Sequence, residues 1–117
     1  MNDVQIKQYT DQLSVQMRKG TLVYCVLKVC SGDPVYANDI VKRLRAADIV
    51  AVEGTIYAIL SRFQKDGLMQ HEWKISEQGP PRKYYQLTPD GAAIRDALEP
   101  HIDTLILTLT KLKKGNL

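Results

Sequence analysis

The spacing of apolar residues changes abruptly in the middle of the chain, and this change limits the folds that the chain can adopt. Within 53–66, apolar side chains recur at the i, i+3, i+4, i+7 spacing of one helix face: Ile56, Ile59, Leu60 and Phe63. Gly67 follows, and glycine is typical of the position just after a helix. The segments 69–75 and 82–87 then alternate apolar or aromatic residues with polar ones, which predicts two strands.

Two further helices are predicted before this region. An apolar block runs from about residue 5 to residue 30, and its densest part, TLVYCVLKVC at 21–30, is apolar over much of its circumference, which indicates a buried helix. The sequence SGDP at 31–34 interrupts it. A short amphipathic helix is predicted at 36–46, with cationic side chains on its outer face.

A last helix is predicted to begin at Thr88, which is a good N-cap and is followed by Pro89 at the first helical position. Apolar residues beyond it repeat at spacings of 4, 3, 4 and 3, which is a heptad seam: Leu98, Ile102, Leu105, Leu109 and Leu112. Such a stripe needs a second helix to cover it, so we expect it to join two copies of the chain. The alternative is that it packs only on the chain's own first helix. Pro100 lies within the seam and is expected to bend it.

The order of elements predicts the fold. Two short helices separated by a turn, the second with a polar outer face, describe a helix-turn-helix. The following strand pair makes it a winged helix. We therefore expect a mostly α fold (α+β minor): a winged helix-turn-helix with a two-stranded wing and a C-terminal dimerisation helix. Residues 1–88 would form the winged-helix unit and 89–114 the dimerisation helix, within one compact body. The segment 79–83, Gly-Pro-Pro-Arg-Lys, would be the wing tip, which the prolines keep in few conformations.

Two long motifs resemble one known family. The stretch VEGTIYAILSRFQKDGLM, at 52–69, resembles the recognition helix of the PadR-like transcriptional regulators, and GPPRKYYQLTPDG, at 79–91, is similar to the wing of that family. With the helix MRKGTLVYCVLKV the similarity covers about 17–91. The resemblance implies a sequence-specific DNA-binding regulator, a repressor, whose promoter occupation is relieved by a small hydrophobic or aromatic effector. A homodimer would place two recognition helices on a pseudo-palindromic DNA duplex.

The residues expected to contact DNA combine cations with hydroxyl groups. Cations neutralise phosphates and release counterions, arginine can read guanine, and hydroxyls at a helix start suit phosphate. The candidates are Tyr36, Thr55, Tyr57, Ser61, Arg62, Lys65, Arg82 and Lys83. For Thr55 the alternative is a local capping bond, and for Tyr57 a half-buried aromatic ring. Trp73 alternates with apolar neighbours and is expected to pack in the core or on the wing.

Other classes of function find little support in the sequence. No phosphate-binding glycine loop, nucleophile elbow or carboxylate constellation occurs, so we expect no enzyme. His71 and His101 lie far apart, and we expect neither a metal nor a cofactor. Cys25 and Cys30 would point about 140° apart on one helix, so they are interpreted as structural thiols. The remaining alternative is a winged-helix protein-interaction module that docks through its C-terminal heptad helix.

The composition is that of an ordinary globular protein. The chain has 117 residues, of which 44% are hydrophobic and 25% charged, with a net charge of +3. No apolar run approaches the roughly 20 residues that span a bilayer, and the N-terminus lacks the pattern of a signal peptide. We therefore expect a cytoplasmic protein with no membrane partner.

Overall fold

The computed structural model describes residues 1–49 and 51–115, and over this range it confirms a mostly helical winged helix. The helices are α1 (Asp3–Val29), α2 (Ala37–Ala46), α3 (Glu53–Lys65) and α4 (Pro89–Lys114). The strands are β1 (Val35–Tyr36), β2 (Met69–Lys74) and β3 (Arg82–Leu87). None of the helices in this part of the chain is both long and apolar enough to cross a membrane.

The sheet contains one strand more than the sequence predicted. It is antiparallel in the order β1-β3-β2, so the predicted hairpin β2–β3 is extended by β1. In β1, Val35 lies opposite Tyr85 and Tyr36 lies opposite Tyr84. A strand of two residues is too short to produce a readable alternation, and these residues were predicted as a loop and the start of the second helix.

The core lies between the second half of α1, the helices α2 and α3, and one face of the sheet. Its members are almost wholly removed from solvent, namely Leu22, Val26, Leu27, Cys30, Val35, Ile40, Val41, Leu44, Ile56, Leu60, Phe63, Met69 and Tyr85. The helical stripe predicted for α3 supplies three of them. Because α3 is held on this side only, its opposite face remains in solvent.

The turn between α3 and the wing is closed by a Schellman motif. Leu68 N donates to Phe63 O at 2.8 Å, and Gly67 N donates to Gln64 O at 3.2 Å. Gly67 has a φ of 79°, a conformation that suits glycine. The helix end predicted at Gly67 is thus confirmed, and the turn fixes the direction in which β2 leaves α3.

The start of α4 is fixed against the same turn. The Thr88 hydroxyl accepts from Gly91 N at 3.1 Å and donates to Gly67 O at 2.6 Å, while Thr88 N donates to Leu68 O at 3.1 Å. Gly91 is buried, and a Cβ there would collide with the backbone carbonyl of Leu68. The predicted cap is thus confirmed, and it also joins α4 to the wing.

The two long helices contact each other through a polar cluster. The Tyr24 hydroxyl of α1 donates to Glu99 Oε1 of α4 at 3.2 Å, and Lys28 Nζ lies 3.4 Å from the same oxygen. Burial of the Tyr24 hydroxyl and its bond to Glu99 raise the pKa of Tyr24. The helix α4 continues as a single element through Pro100.

Candidate nucleic-acid interface

The outer face of α3 carries the polar side chains that the sequence assigned to it. The helix turns its apolar stripe inward, so the opposite positions are solvent-exposed. They are Thr55, Ala58, Ser61, Arg62 and Lys65. Two cations, two hydroxyls and one small alanine therefore share a surface that backbone or bases of a nucleic acid can approach closely. We call this surface the α3 outer face.

Arg62 remains available on this face. Its Nε lies 4.0 Å from Asp66 Oδ2, and the two side chains are 66% and 54% exposed. A surface pair of this kind contributes little, typically about 0–1 kcal/mol. The pair orients the guanidinium at little cost, so that its remaining donors can still reach a phosphate or a base edge.

The N-terminal turn of α3 has no side-chain cap. Val52 occupies the N-cap position and makes no capping hydrogen bond. The Thr55 hydroxyl forms no hydrogen bond with any other described residue, so the capping bond that was its alternative does not occur among them. Thr55 N donates to Val52 O at 2.9 Å, so it is the hydroxyl of this residue that, among the described residues, is available to an anion.

Tyr57 is half-buried rather than fully exposed. Its hydroxyl donates to Glu53 Oε1 at 3.3 Å within the same helix. Burial, followed by the neighbouring Glu53 carboxylate, raises the pKa of Tyr57. The ring therefore supports the flank of α3, and its hydroxyl lies at the border of the outer face.

The two wing cations are strand residues at the base of the wing tip. Arg82 and Lys83 are the first residues of β3 and pair with Lys74 and Trp73 of β2. The loop 75–81 extends beyond them. The strand predicted at 82–87 is thus confirmed, and its first pair, Arg82 with Lys74, closes the hairpin directly below the loop.

Since successive strand residues point to opposite faces, Arg82 and Lys83 lie on different sides of the wing. The Arg82 guanidinium carbon lies 4.8 Å from the centroid of the Tyr36 ring, and this ring lies 5.8 Å from that of Tyr84. Lys74 Nζ lies 4.8 Å from the Tyr84 ring. We call this cluster of two cations and two tyrosines the outer wing face. The contacts are cation–π pairs that hold the charges in place.

Lys83 belongs to the side of the wing that also covers the core. Its Nζ lies 5.1 Å from the centroid of the buried Tyr85 ring and 5.9 Å from that of Trp73. On the same side, His71 hydrogen-bonds the Gln64 side chain of α3. We call the exposed part of this side, formed by His71, Trp73 and Lys83, the inner wing face. It adjoins the recognition helix.

Trp73 does not pack in the core. Its side chain is 62% exposed, and its ring lies beside two wing neighbours, at 6.4 Å from the His71 ring centroid and 5.9 Å from Lys83 Nζ. The core alternative for this residue was thus wrong, because the alternating pattern extends along β2 beyond the point where α3 covers the sheet. Met69, at the other end of the strand, is buried as expected.

One cation near the interface was missing from the sequence-based candidates. Lys74 lies directly opposite Arg82 and pairs with Glu72 at 3.5 Å. Its position opposite Arg82 depends on the register between the strands. The alternation of β2 gave its face, but only the register could associate it with Arg82.

The predicted dimerisation residues differ in exposure along α4. Leu98 packs against the core and Ile102 is half-buried, whereas Leu105, Leu109 and Leu112 are exposed. Further exposed apolar side chains lie on α1, namely Val4, Ile6, Tyr9, Leu13, Val15 and Met17. The start of the seam is therefore used within the chain, and its second half is uncovered. Among residues 1–49 and 51–115, no three His, Cys, Asp or Glu side chains are grouped as a metal site would require.

Comparisons with known proteins agree with this geometry. The sequence model of the transcriptional regulator PadR-like family matches residues 26–97, which is more than half of the chain. A search of curated protein sequences gave no significant match.

Solved structures give matches over most of the chain. A PadR-like transcription factor from Bacteroides fragilis is 42% identical over 86% of this chain and 98% of its own, with a TM-score of 0.69. A PadR family transcriptional regulator from Eggerthella lenta is 28% identical over 93% and 96%, with a TM-score of 0.83. A PadR-like transcriptional regulator from Bacillus cereus is 33% identical over 86% and 98%, with a TM-score of 0.74.

Proposed function

The chain belongs to the PadR-like family of transcriptional regulators and is a DNA-binding regulator, not an enzyme, and we propose that it is a homodimeric repressor of a pseudo-palindromic operator. In this proposal α3 enters the major groove, the wing contacts the adjacent backbone, and a small hydrophobic or aromatic effector releases the dimer from DNA. The observation that carries it is the α3 outer face. Arg62, Lys65 and two hydroxyls are exposed there, beside a wing with three further cations.

The proposed contacts divide into two kinds. Arg62 is proposed to read a base and Lys65 to bind phosphate, because the first offers a planar fork of donors and the second a point charge. Thr55 and Ser61 are proposed to bind phosphate oxygens with their hydroxyls. In the wing, Lys83 is proposed to contact the backbone next to α3, and Arg82 the backbone on the other side, with Tyr36 and Tyr57 supporting these contacts.

The extended shape of the chain supports a dimer. Its radius of gyration is 17.2 Å, whereas a compact chain of this length has about 13 Å. The excess comes from the ends of α1 and α4, where apolar side chains are exposed. Burial of several such side chains at about 1.5–3 kcal/mol each favours association before ordering costs. In a twofold dimer, two copies of α3 can lie about one DNA turn (~34 Å) apart.

An apolar groove supports the effector part of the proposal. It has a volume of about 260 Å³ and lies between α1 and the first turn of α3, with Val15 and Leu22 on its wall and Arg18 and Lys19 beside them. Thr55 of the recognition helix also lines it. A bound aromatic acid would touch both helices, so it could favour the DNA-free position of α3. Loss of operator binding during titration with an aromatic carboxylate checks this part.

Fluorescence anisotropy tests the DNA-binding proposal. A labelled duplex from immediately upstream of the coding region is titrated with protein at physiological salt and with excess competitor DNA. We expect saturable binding with two chains per site. Replacement of Arg62, Lys65, Arg82 and Lys83 by alanine should remove this binding, and Arg62→Ala alone should cost about 1–3 kcal/mol and relax specificity.

Lys111→Ala is the matched control, because it removes one exposed cation from α4 on the side away from the heptad seam. Its effect on affinity should be small. Arg82→Ala with Lys83→Ala should weaken binding to all sequences and reduce the salt dependence by about one unit per lost phosphate contact. Binding that is unchanged in the fourfold variant would contradict the proposed interface, and binding by single chains would contradict the dimer.

A further inference from the structure

Two large apolar side chains project from the wing into solvent. Trp73 is 62% exposed and Ile75, which follows at the end of β2, is 95% exposed. Trp73 belongs to β2 and Ile75 is the first residue of the loop 75–81, so the two lie close together at the outer end of the strand. An exposed tryptophan beside an exposed isoleucine is costly in water, so such a pair often marks a binding surface.

The neighbours of Trp73 indicate what kind of partner this surface fits. Lys83 Nζ lies 5.9 Å from the Trp73 ring centroid. On the opposite face of the hairpin, Lys74 and Arg82 add two more cations, of which Lys74 is paired with the Glu72 carboxylate at 3.5 Å. An apolar ring with one cation beside it, on a hairpin whose other face carries two more, complements a partner with apolar patches and negative charge. The deoxyribose–phosphate backbone has both, whereas an apolar protein surface would leave these charges unpaired.

The position of Trp73 relative to α3 fits the same partner. His71, one step along the inner wing face, hydrogen-bonds Gln64 on the flank of the recognition helix. Trp73, the next residue on that face, therefore lies farther out along the wing, beyond the flank of α3 that His71 contacts. If α3 occupies a major groove, the next features of the duplex in this direction are a phosphate row and the minor groove.

We propose that Trp73 and Ile75 pack against the deoxyribose wall of the minor groove next to the α3 site, while Lys83 binds the phosphate between the two grooves. The proposal rests on the proposed function and adds an apolar contact to it. Apolar side chains are known to act as wedges in minor grooves. Trp73 would then contribute to affinity through buried area, and not through charge.

Trp73 is the only tryptophan in the chain, so its own fluorescence reports the contact. The emission is excited at the red edge of the absorption band to avoid the tyrosines, and acrylamide quenching is measured before and after saturation with the operator duplex. We expect the emission to change and the acrylamide quenching constant to fall at least about twofold, because DNA would cover the exposed ring.

Three variants separate the apolar contact from the charge contact. Trp73→Ala should weaken operator binding about tenfold, the effect of removing a well-packed aromatic anchor. The slope of log affinity against log salt should stay unchanged, because no counterion is involved. Trp73→Phe should retain most of the affinity. Lys83→Ala should instead reduce that slope by about one unit. Circular dichroism checks that the variants fold, which we expect because the Trp73 ring is largely exposed.

The outcomes distinguish this inference from the proposed function. Saturable operator binding with unchanged acrylamide quenching, or with Trp73→Ala binding as well as the wild type, would overturn the inference and leave the function in place. A change of Trp73 emission on dilution of the protein without DNA would assign the ring to a protein contact and also overturn it. No binding to any duplex at low salt would overturn both.

Discussion

The same residue type is buried in the winged part of the chain and exposed at the ends of its two long helices. Leu60 in α3 is fully buried at 0% exposure, whereas Leu109 in α4 is 50% exposed. The first is covered by α1, α2 and the sheet of its own chain, and the second is covered by nothing within the described residues. The winged helix therefore has a core that its own chain completes, while the ends of α1 and α4 carry apolar side chains that no described residue covers.

The largest expected effect is on the core side of this comparison. Leu60→Ala removes fully buried methyl groups and leaves a cavity, so it should lower the free energy of unfolding by about 2–5 kcal/mol. Urea denaturation measures this. Leu109→Ala removes the same atoms from an exposed site and should change the stability of the dilute chain by less than about 1 kcal/mol. Equal losses in both variants would contradict the distinction between the two regions.

The next effect is on association. Leu105→Lys with Leu109→Lys places two charges on the heptad seam, and burial of unpaired charges opposes dimerisation. We expect the dimer dissociation constant to rise at least about a hundredfold, measured by sedimentation equilibrium. Leu107→Lys is the matched control, because it lies on the same helix but on the side away from the seam, and it should leave association unchanged. A dimer that persists in the double variant would show that the seam does not hold it.

A pair of glycines tests the junction between the regions. Gly91→Ala forces a Cβ against the Leu68 carbonyl and should destabilise the chain by about 1–3 kcal/mol. Gly20→Ala in α1 has open space around the new methyl group and should stabilise it by about 0.5–1 kcal/mol. In urea denaturation we expect the free energy of unfolding to fall in Gly91→Ala and to rise in Gly20→Ala. A neutral Gly91→Ala would indicate that α4 is not seated on the α3–β2 turn.

The smallest effect is a pH dependence that comes from burial in the core. Burial raises the pKa of the Cys30 thiol to about 12, while a thiol in an unfolded chain has a pKa of about 8.5. Above that pH the unfolded chain releases a proton that the folded chain keeps, so this stabilisation is complete below about 8.5 and is lost as the pH rises towards 12. This loss should be absent in Cys30→Ala. Over the first pH unit above 8.5, its free energy of unfolding should therefore fall by about 1 kcal/mol less than that of the wild type.

The matched control for this pH effect is Cys25→Ala. Cys25 is half-buried, and burial raises the pKa of its thiol as well. Because Cys25 is covered less than Cys30, its replacement should change the pH dependence less. If the free energy of unfolding falls equally with rising pH in the wild type and in Cys30→Ala, the pH dependence does not come from the Cys30 thiol.

Much of the interface could be predicted because it depends on short-range patterns. The stripe of α3 determines which of its residues face outward, and Gly67 and Thr88 end and start helices by hydrogen bonds within three to five residues. These features need no knowledge of the rest of the fold. The family resemblance, which also consists of contiguous motifs, supplied the function in the same way.

The features that the sequence did not give depend on contacts between distant segments. The strand β1 exists only because Val35 and Tyr36 meet β3, about 50 residues later in the chain. The association of Arg82 with Tyr36 and the missing candidate Lys74 depend on sheet order and register. The alternation of β2 correctly predicted on which face of the sheet Trp73 lies. It could not predict whether another element of the fold covers that face.

By itself the sequence determined the helices, the wing and the polar side of the recognition helix, since these follow from the spacing of residues that are near neighbours along the chain. Only the tertiary structure decided which apolar faces are covered. Coverage depends on the lengths and directions of the packed elements, and it ends where the sheet passes the edge of α3 and where α1 and α4 extend beyond the core. Trp73 and the exposed half of the seam lie at those two places.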